Sequence, residues 1–327
     1  MRKRAQFKIG MTWLMAGVIA GVIPPAAAQK FPGKPITFVV PFAAGGGGDL
    51  VARILAKGLS DRISNPVIVE NKVGAGGNIG AAYVMSAQPN GYTLLNMSST
   101  YAIQAAVSKL PFDAVEDMQP IMMVSRDPAL IVVHPDSPLK TAKDLAAAAR
   151  AKPGTITYGS AGTGSIAHLG IEELGYIMGV QFVHVPYKGS SQAFNDLLGK
   201  NVDMMLTSAT FAAPYIKSGR IRAIAIASGD KRLPILPDVP TFAEQGFGAY
   251  QVVDWKAVAG PKGMPPEVVA YLNKELNEVL KTKSVAEKFE NEGTSAVGGT
   301  PEQMMQIVRS DVARWKDVAK KANVKVE

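Results

Sequence analysis

The chain has 327 residues, 47% of them hydrophobic, with a formal charge of +8 and no cysteine. That length accommodates two domains of ordinary size, and the missing cysteines exclude disulfides, thiolate metal sites, a cysteine nucleophile and a lipidated cysteine. Arg2, Lys3, Arg4 and Lys8 carry half of the charge, so the remainder holds only +4 and gives little support to a nucleic-acid partner.

Those basic residues, the apolar stretch Met11 to Ile23 and the small residues Ala26-Ala27-Ala28 before Gln29 read as a secretory signal. Its apolar core is shorter than the ~20 residues a membrane span needs. Residues 1–28 are therefore expected to be removed, leaving a soluble protein in the periplasm. Next comes an apolar strand, Ile36 to Val40, then Gly45 to Gly48, then a helix opened by Asp49 that carries Leu50, Val51, Ile54, Leu55 and Leu59 on one face. Such a junction leaves backbone N–H groups free at the positive end of a helix dipole and suits an anion. No Gly-Lys-Ser/Thr follows, so the lysine and the magnesium hydroxyl are missing and a nucleotide phosphate is disfavoured. The loop is then either a ligand seat or a plain tight turn.

Pro66 to Glu70 is the second strand and Asn78 to Ala87 the second helix, joined by Gly74-Ala75-Gly76-Gly77. That loop has dinucleotide-like spacing but no acid about 20 residues on, and reads as close helix–strand packing. After the turn Pro89-Asn90-Gly91, the strand Tyr92 to Met97 delivers Ser98-Ser99-Thr100 to a loop. Two short strands (Met122 to Ser125 and Ala129 to His134) and a helix, Thr141 to Ala151, follow. Then the opening pattern returns: strand Thr155 to Tyr158, loop Gly159 to Gly164, and a helix capped by Ser165 and running to Met178. Val183 to Val185 is a strand, Gly189-Ser190-Ser191 starts a helix ending near Gly199, and Asp203 to Leu206 leads into Thr207-Ser208-Ala209-Thr210. Arg222 to Ala227 and Val252 to Ala259 are strands, separated by a proline-rich connection. Helices from Pro265 and Pro301 close the chain, the last with Met305, Val308, Val312 and Trp315 as packing residues.

Strands alternating with helices predict an α/β fold with mainly parallel sheets, whose ligands sit at the carboxyl ends of the strands. Chain crossings near Ser125–Asp127 and Gln251–Asp254 would join a discontinuous lobe, 29–126 and 253–327, to a second lobe, 127–252, and permit hinge closure.

Ser160, Thr163 and Ser165 offer hydroxyls beside the bare N–H groups of Gly162 and Gly164, and an ordinary cap by Ser165 is compatible with that. His168, one turn into the helix, is either a ligand contact or a satisfied structural group. His134 and His184 read as structural, and the three are too scattered for a metal, so neither metal nor cofactor is expected. Lys188 beside Gly189 either faces an anion or sits solvated at a helix entrance. Gly-x-Ser-x-Gly is absent, yet a secreted hydrolase pairing a loop serine with His168 stays open as an alternative.

Phe31-Pro32-Gly33-Lys34-Pro35-Ile36 through Asp49, Val69-Glu70-Asn71-Lys72-Val73-Gly74 through Gly80, and Pro89-Asn90-Gly91-Tyr92 occur in this order. They are followed by Tyr158-Gly159-Ser160-Ala161-Gly162-Thr163-Gly164-Ser165, Val185-Pro186-Tyr187-Lys188-Gly189 and Leu236-Pro237-Asp238-Val239-Pro240. The set resembles the Bordetella uptake gene family, the extracytoplasmic solute receptors of tripartite tricarboxylate transporters. The resemblance implies a two-lobed, type II-like periplasmic binding protein, a monomer that closes like a flytrap on a small carboxylate and meets membrane transporter subunits. A sensor feeding a membrane kinase is its variant. It also implies that Phe42, Ala43, Ala44, Gly45 and Gly46, with Gly162, Thr163 and Ser165, hold a carboxylate, while Ser98, Ser99 and the run from Thr207 through Ser208 to Thr210 shape the rest. The run after Asp203 departs from the family pattern. Phe42, Tyr101, Phe211 and Trp255 would suit an aromatic or extended apolar acid, or else pack the lobes.

Overall fold

The computed structural model describes residues 31–248, 250–291 and 294–324, and the predicted signal segment lies outside them. The first apolar run is β1 (Ile36–Val40), followed by α1 (Gly47–Ile63), β2 (Val67–Asn71), a 3-10 turn (Ala75–Gly77), α2 (Asn78–Met85), β3 (Thr93–Ser98) and α3 (Ser99–Val107). β4 (Met118–Val133), α4 (Ala142–Ala151), β5 (Thr157–Ser160), α5 (Ile166–Met178), β6 (Val183–Pro186), α6 (Ser190–Leu198), β7 (Met204–Ser208), α7 (Ala209–Lys217) and β8 (Arg222–Ile226) come next. The described chain ends with β9 (Val253–Pro261), α8 (Pro266–Lys281), α9 (Lys283–Asn291), β10 (Ser295–Gly298) and α10 (Pro301–Lys321).

β1 is buried on nearly every side chain because it lies between β2 and β3, both parallel to it, with helices covering the faces. β5 likewise has β6 and β7 as parallel neighbours. The antiparallel pairings come from β4 and β9, which make the sheet mixed, in the order β2-β1-β3-β9-β4-β7-β5-β6. The two short strands expected around Ser125–Asp127 form one 16-residue strand, because pairing with β9 continues through Arg126 opposite Trp255 and Asp127 opposite Asp254. Both chain crossings between the parts of the sheet thus lie side by side.

Separate apolar clusters sit under the two parts. Phe38, Leu55, Leu59, Leu272 and Leu276 belong to one, and Ile131, Tyr158, Leu174, Phe242 and Tyr250 to the other. α10 buries Met304, Val308 and Trp315, the last against Ile103 of α3 and Leu169 of α5, so this helix touches both parts. The helix α3 stands where the sequence suggested a loop at Ser98-Ser99-Thr100. Its residues 99–104 are all buried, so no polar face marks the helical period.

Candidate functional site

β1, β3, β5 and β7 each end by delivering the chain to a helix start, and these starts gather around one cavity. Gly46, Gly47, Gly48 and Asp49 of α1, Ser98 and Thr100 of α3, Ser165, Ile166 and Ala167 of α5, Ser190 of α6 and Ser208 of α7 line it. No side chain caps α1, α3 or α6, so their first N–H groups keep their hydrogen-bonding capacity. Each helix start carries roughly half a positive charge. Five of them around one space make a site for negative charge in which the one cation of the lining among the described residues, Lys256, is already paired.

The glycine loop is shaped from beneath by Asp49. Its buried carboxylate accepts from Gly45 N at 3.0 Å, from Arg53 Nε and Nη2 at 2.9 and 3.0 Å, and from Asn71 Nδ2 at 2.9 Å. Asn71 also donates to Phe42 O at 3.0 Å. Burial pushes the Asp49 pKa up, but the hydrogen bonds from Arg53, Gly45 and Asn71 together outweigh it and hold it below the ordinary value. Asp49 therefore borders the cavity while its charge serves the loop. Asp49→Ala is expected to cost about 1–2 kcal/mol of stability, read by denaturant unfolding, because Gly45 N and the half-exposed Arg53 exchange a charged hydrogen-bond partner for water.

On the facing side, Ser165 Oγ accepts from His168 N at 3.3 Å and Thr100 Oγ1 accepts from Ile166 N at 3.2 Å. The second of these bonds joins α3 to α5 across the cavity. Ser191 Oγ donates to Ala44 O at 3.1 Å, and Gln104 Nε2 donates to Thr163 O at 3.0 Å. A methyl group added at Gly189 would lie 2.8 Å from the Ala43 Cβ. These contacts bring the glycine loops of the two parts together at the rim.

Of the residues singled out from sequence, Phe42, Ala43, Gly46, Asp49, Ser98, Ser165 and Ser208 line the cavity. Gly162, Thr163 and Lys188 line an adjoining groove, with Phe42 and Ala161 bordering both spaces. Ala44, Gly45 and Gly189 form the rim contacts and loop bonds just described. Ser99 turns its hydroxyl to Asp254 Oδ1 at 2.6 Å. Ser160 is wholly buried, with its Oγ 2.6 Å from His184 Nε2 and accepting from Gly162 N at 3.1 Å. His168 lines neither space. Its Nδ1 accepts from Gly164 N at 3.1 Å and its ring stacks on His184 with centroids 4.1 Å apart. The serine that meets a histidine side chain is thus sealed from the cavity, and Ser165, buried in the cavity wall, caps a helix, an arrangement that offers no activated nucleophile to a bound ester.

Among the aromatic residues, Phe42 alone of the four borders the cavity. Tyr101 is buried and donates to Ala114 O at 2.7 Å, Trp255 donates from Nε1 to Asp311 Oδ2 at 2.6 Å, and Phe211 packs on Phe194 and Tyr215. The sequence reading overlooked Asp254 and Lys256, an ion pair in the cavity wall on β9. The signal was present: two opposite charges two residues apart on an otherwise apolar strand share a face.

Residues 51–324 match the family described as tripartite tricarboxylate transporter family receptor. The chain is 36% identical over 327 residues to Protein BugT of Bordetella pertussis, covering 98% of this chain and 100% of that one. Among solved structures, it is similar to the periplasmic binding protein BugD, at 37% identity and a TM-score of 0.87 over 91% of this chain and 100% of the other. An R. palustris protein solved with adipate gives 32% identity and a TM-score of 0.87, covering 90% and 99%. The chain belongs to the tripartite tricarboxylate transporter receptor family and has the α/β fold of its periplasmic binding proteins.

Proposed function

We propose that this chain, as a receptor of that family, captures a small organic mono- or dicarboxylate in the periplasm and hands it unaltered to the membrane subunits of a tripartite tricarboxylate transporter. The observation that carries the reading is the convergence of five helix starts on one cavity whose charged side chains are already paired. The adipate held by the R. palustris relative agrees with it. Residues 29–126 with 253–327 act as one lobe and 127–252 as the other, closing at the side-by-side crossings of β4 and β9. A ligand carboxylate meets N–H groups of Gly46 to Gly48 from one lobe and of Ala167 and Ser190 from the other. Since those donors belong to separate lobes, the ligand favours the closed arrangement, and the transporter reads that arrangement. Dipoles rather than a bare cation hold the charge, which suits reversible release.

A thermal-shift screen of C3 to C8 mono- and dicarboxylic acids, adipate included, tests this. An acid present at about 100 times its Kd adds about 2.7 kcal/mol to stability, a rise of several degrees in Tm. A screen in which no carboxylate moves Tm, while neutral solutes do, would sink the reading.

A further inference from the structure

Lys256 and Asp254 stand two residues apart on β9 and both border the cavity. The last carbon of the Lys256 stem, one bond from its ammonium, lies 3.8 Å from where a methyl group on Gly48 would stand. The lysine therefore adjoins the first turn of α1, the carboxylate seat of the proposed receptor. Its side chain is 3% exposed and its ammonium is paired with Asp254 Oδ2, while Asp254 Oδ1 accepts from Ser99 Oγ at 2.6 Å.

β4 brings a second carboxylate to the same face. Asp127 stands opposite Asp254, and Ser125 opposite Lys256, and directly opposed residues point to one side of a sheet. Asp127 is wholly buried and accepts from Ser125 Oγ at 3.3 Å. From β3, Ser98 stands opposite Lys256 and brings no charge. Asp49 of α1 is turned to Gly45, Arg53 and Asn71. Two carboxylates thus share one ammonium beside the seat.

A buried ammonium attracts a ligand carboxylate strongly, because little water screens it. Asp127 and Asp254 repel that same ligand, and Asp254 already holds the ammonium. An ammonium has three donors, so Lys256 can turn one to a ligand without leaving Asp254. Ligand and Asp254 then compete for one positive charge. We propose that Lys256 is the counter-charge of the bound carboxylate and that Asp254 is its built-in competitor, holding affinity down and speeding release. The inference deepens the receptor reading and rests on it.

The test is calorimetric titration of the purified protein with straight-chain C3 to C6 mono- and dicarboxylates and their primary amides, with dissociation rates from stopped flow. Asp254→Asn keeps an acceptor for Ser99 Oγ and leaves Lys256 the Asp127 carboxylate on its own face. For each carboxylate that the unaltered protein binds, it is expected to lower Kd about tenfold, chiefly through slower dissociation, with the amides unmoved. Lys256→Met/Asp254→Asn is expected to lose that gain. Ser99→Ala, a smaller change, strips a donor from Asp254 and makes it a stronger competitor, so the same acids are expected to bind about threefold more weakly. An Asp254→Asn protein that binds acids no tighter, a gain that survives loss of Lys256 or extends equally to the amides, or Ser99→Ala without effect on acids overturns the inference alone. Absence of binding by every acid to the unaltered protein overturns the receptor reading beneath it.

Discussion

Gly76→Ala is expected to weaken binding of a stabilising acid by about 10- to 100-fold while the unliganded protein stays folded. Gly76 has φ +62°, and a methyl group there would lie 2.1 Å from Gln104 Nε2 and 2.7 Å from Thr163 O. Gln104 cannot swing aside freely. Its Oε1 accepts from Asn78 Nδ2 at 3.0 Å and Ser108 Oγ at 2.5 Å, and its Nε2 donates to Thr163 O. Gly164 closes the other side, where an added methyl would lie 2.3 Å from the same nitrogen. The amide of Gln104 therefore sits in a slot between glycines from two distant stretches. With an alanine at 76, the cheapest relief is to part the Thr163 loop from the Gly76 loop, which widens the groove adjoining the cavity. Left-handed backbone costs alanine about 1 kcal/mol in open and closed forms alike, so that share shows in Tm and not in affinity. In the proposed hinge closure, overpacking of about 1–3 kcal/mol would fall on the closed form only, and apparent affinity would drop with the closed population. Adding Gln104→Ala removes the nearer clash but not the one with Thr163 O, so part of the loss should return. Unchanged affinity in Gly76→Ala, measured by calorimetry, would mean that these loops need not meet when ligand binds.

The sequence made some of this site readable because some of it is local. At β1 and α1, and again at β5 and α5, an apolar run, a glycine break and a helix start follow one another within about a dozen residues, and the structure has each within two residues of its expected start, with Gly159 and Ser160 in the strand rather than the loop. Ser165 as a cap is of the same kind. What stayed hidden depends on partners far along the chain. Gln104 and Thr163 are 59 positions apart, and Gly76 gives no hint that its missing side chain makes room for either. It read as helix–strand packing, a role that Gly80 fills against Pro41 and the Lys72 carbonyl. The scattered histidines followed the same logic, since His168 on α5 and His184 on β6 meet only once β5 brings the elements together. Tyr101, Phe211 and Trp255 could not be assigned to cavity or core from spacing, because a buried aromatic and a ligand-facing one share the same period.

That histidine pair should make the protein acid-sensitive well above the carboxylate range. Burial pushes the His168 pKa down to about 4, and burial, with the neighbouring His168 second, pushes that of His184 to about 3. Both lie below the roughly 6.5 of an unfolded chain. As pH falls from 6.5 the unfolded state takes up protons that the folded state refuses, so stability is lost, at up to about 1.4 kcal/mol per pH unit for each histidine. By pH 4 His168 alone accounts for about 3 kcal/mol. Asp49 adds its own loss only below its ordinary range, because its folded pKa is depressed and its stabilising charge persists until pH falls through that lower value. The two windows are therefore separable in denaturant melts taken every half unit from pH 7 to 3. His168→Asn keeps an acceptor for Gly164 N yet does not titrate, so it should flatten the slope between pH 6.5 and 4 by about half. Protonation of Nδ1 also ends the bond from Gly164 N, which supports the loop carrying Gly162 to Ser165. Acids should then bind more weakly toward pH 4 than their own titration explains, and less so in the asparagine variant. A melt profile flat from pH 6.5 to 4 in the unaltered protein would show that the stacked rings take up protons without disturbing the loop, and the coupling would not exist.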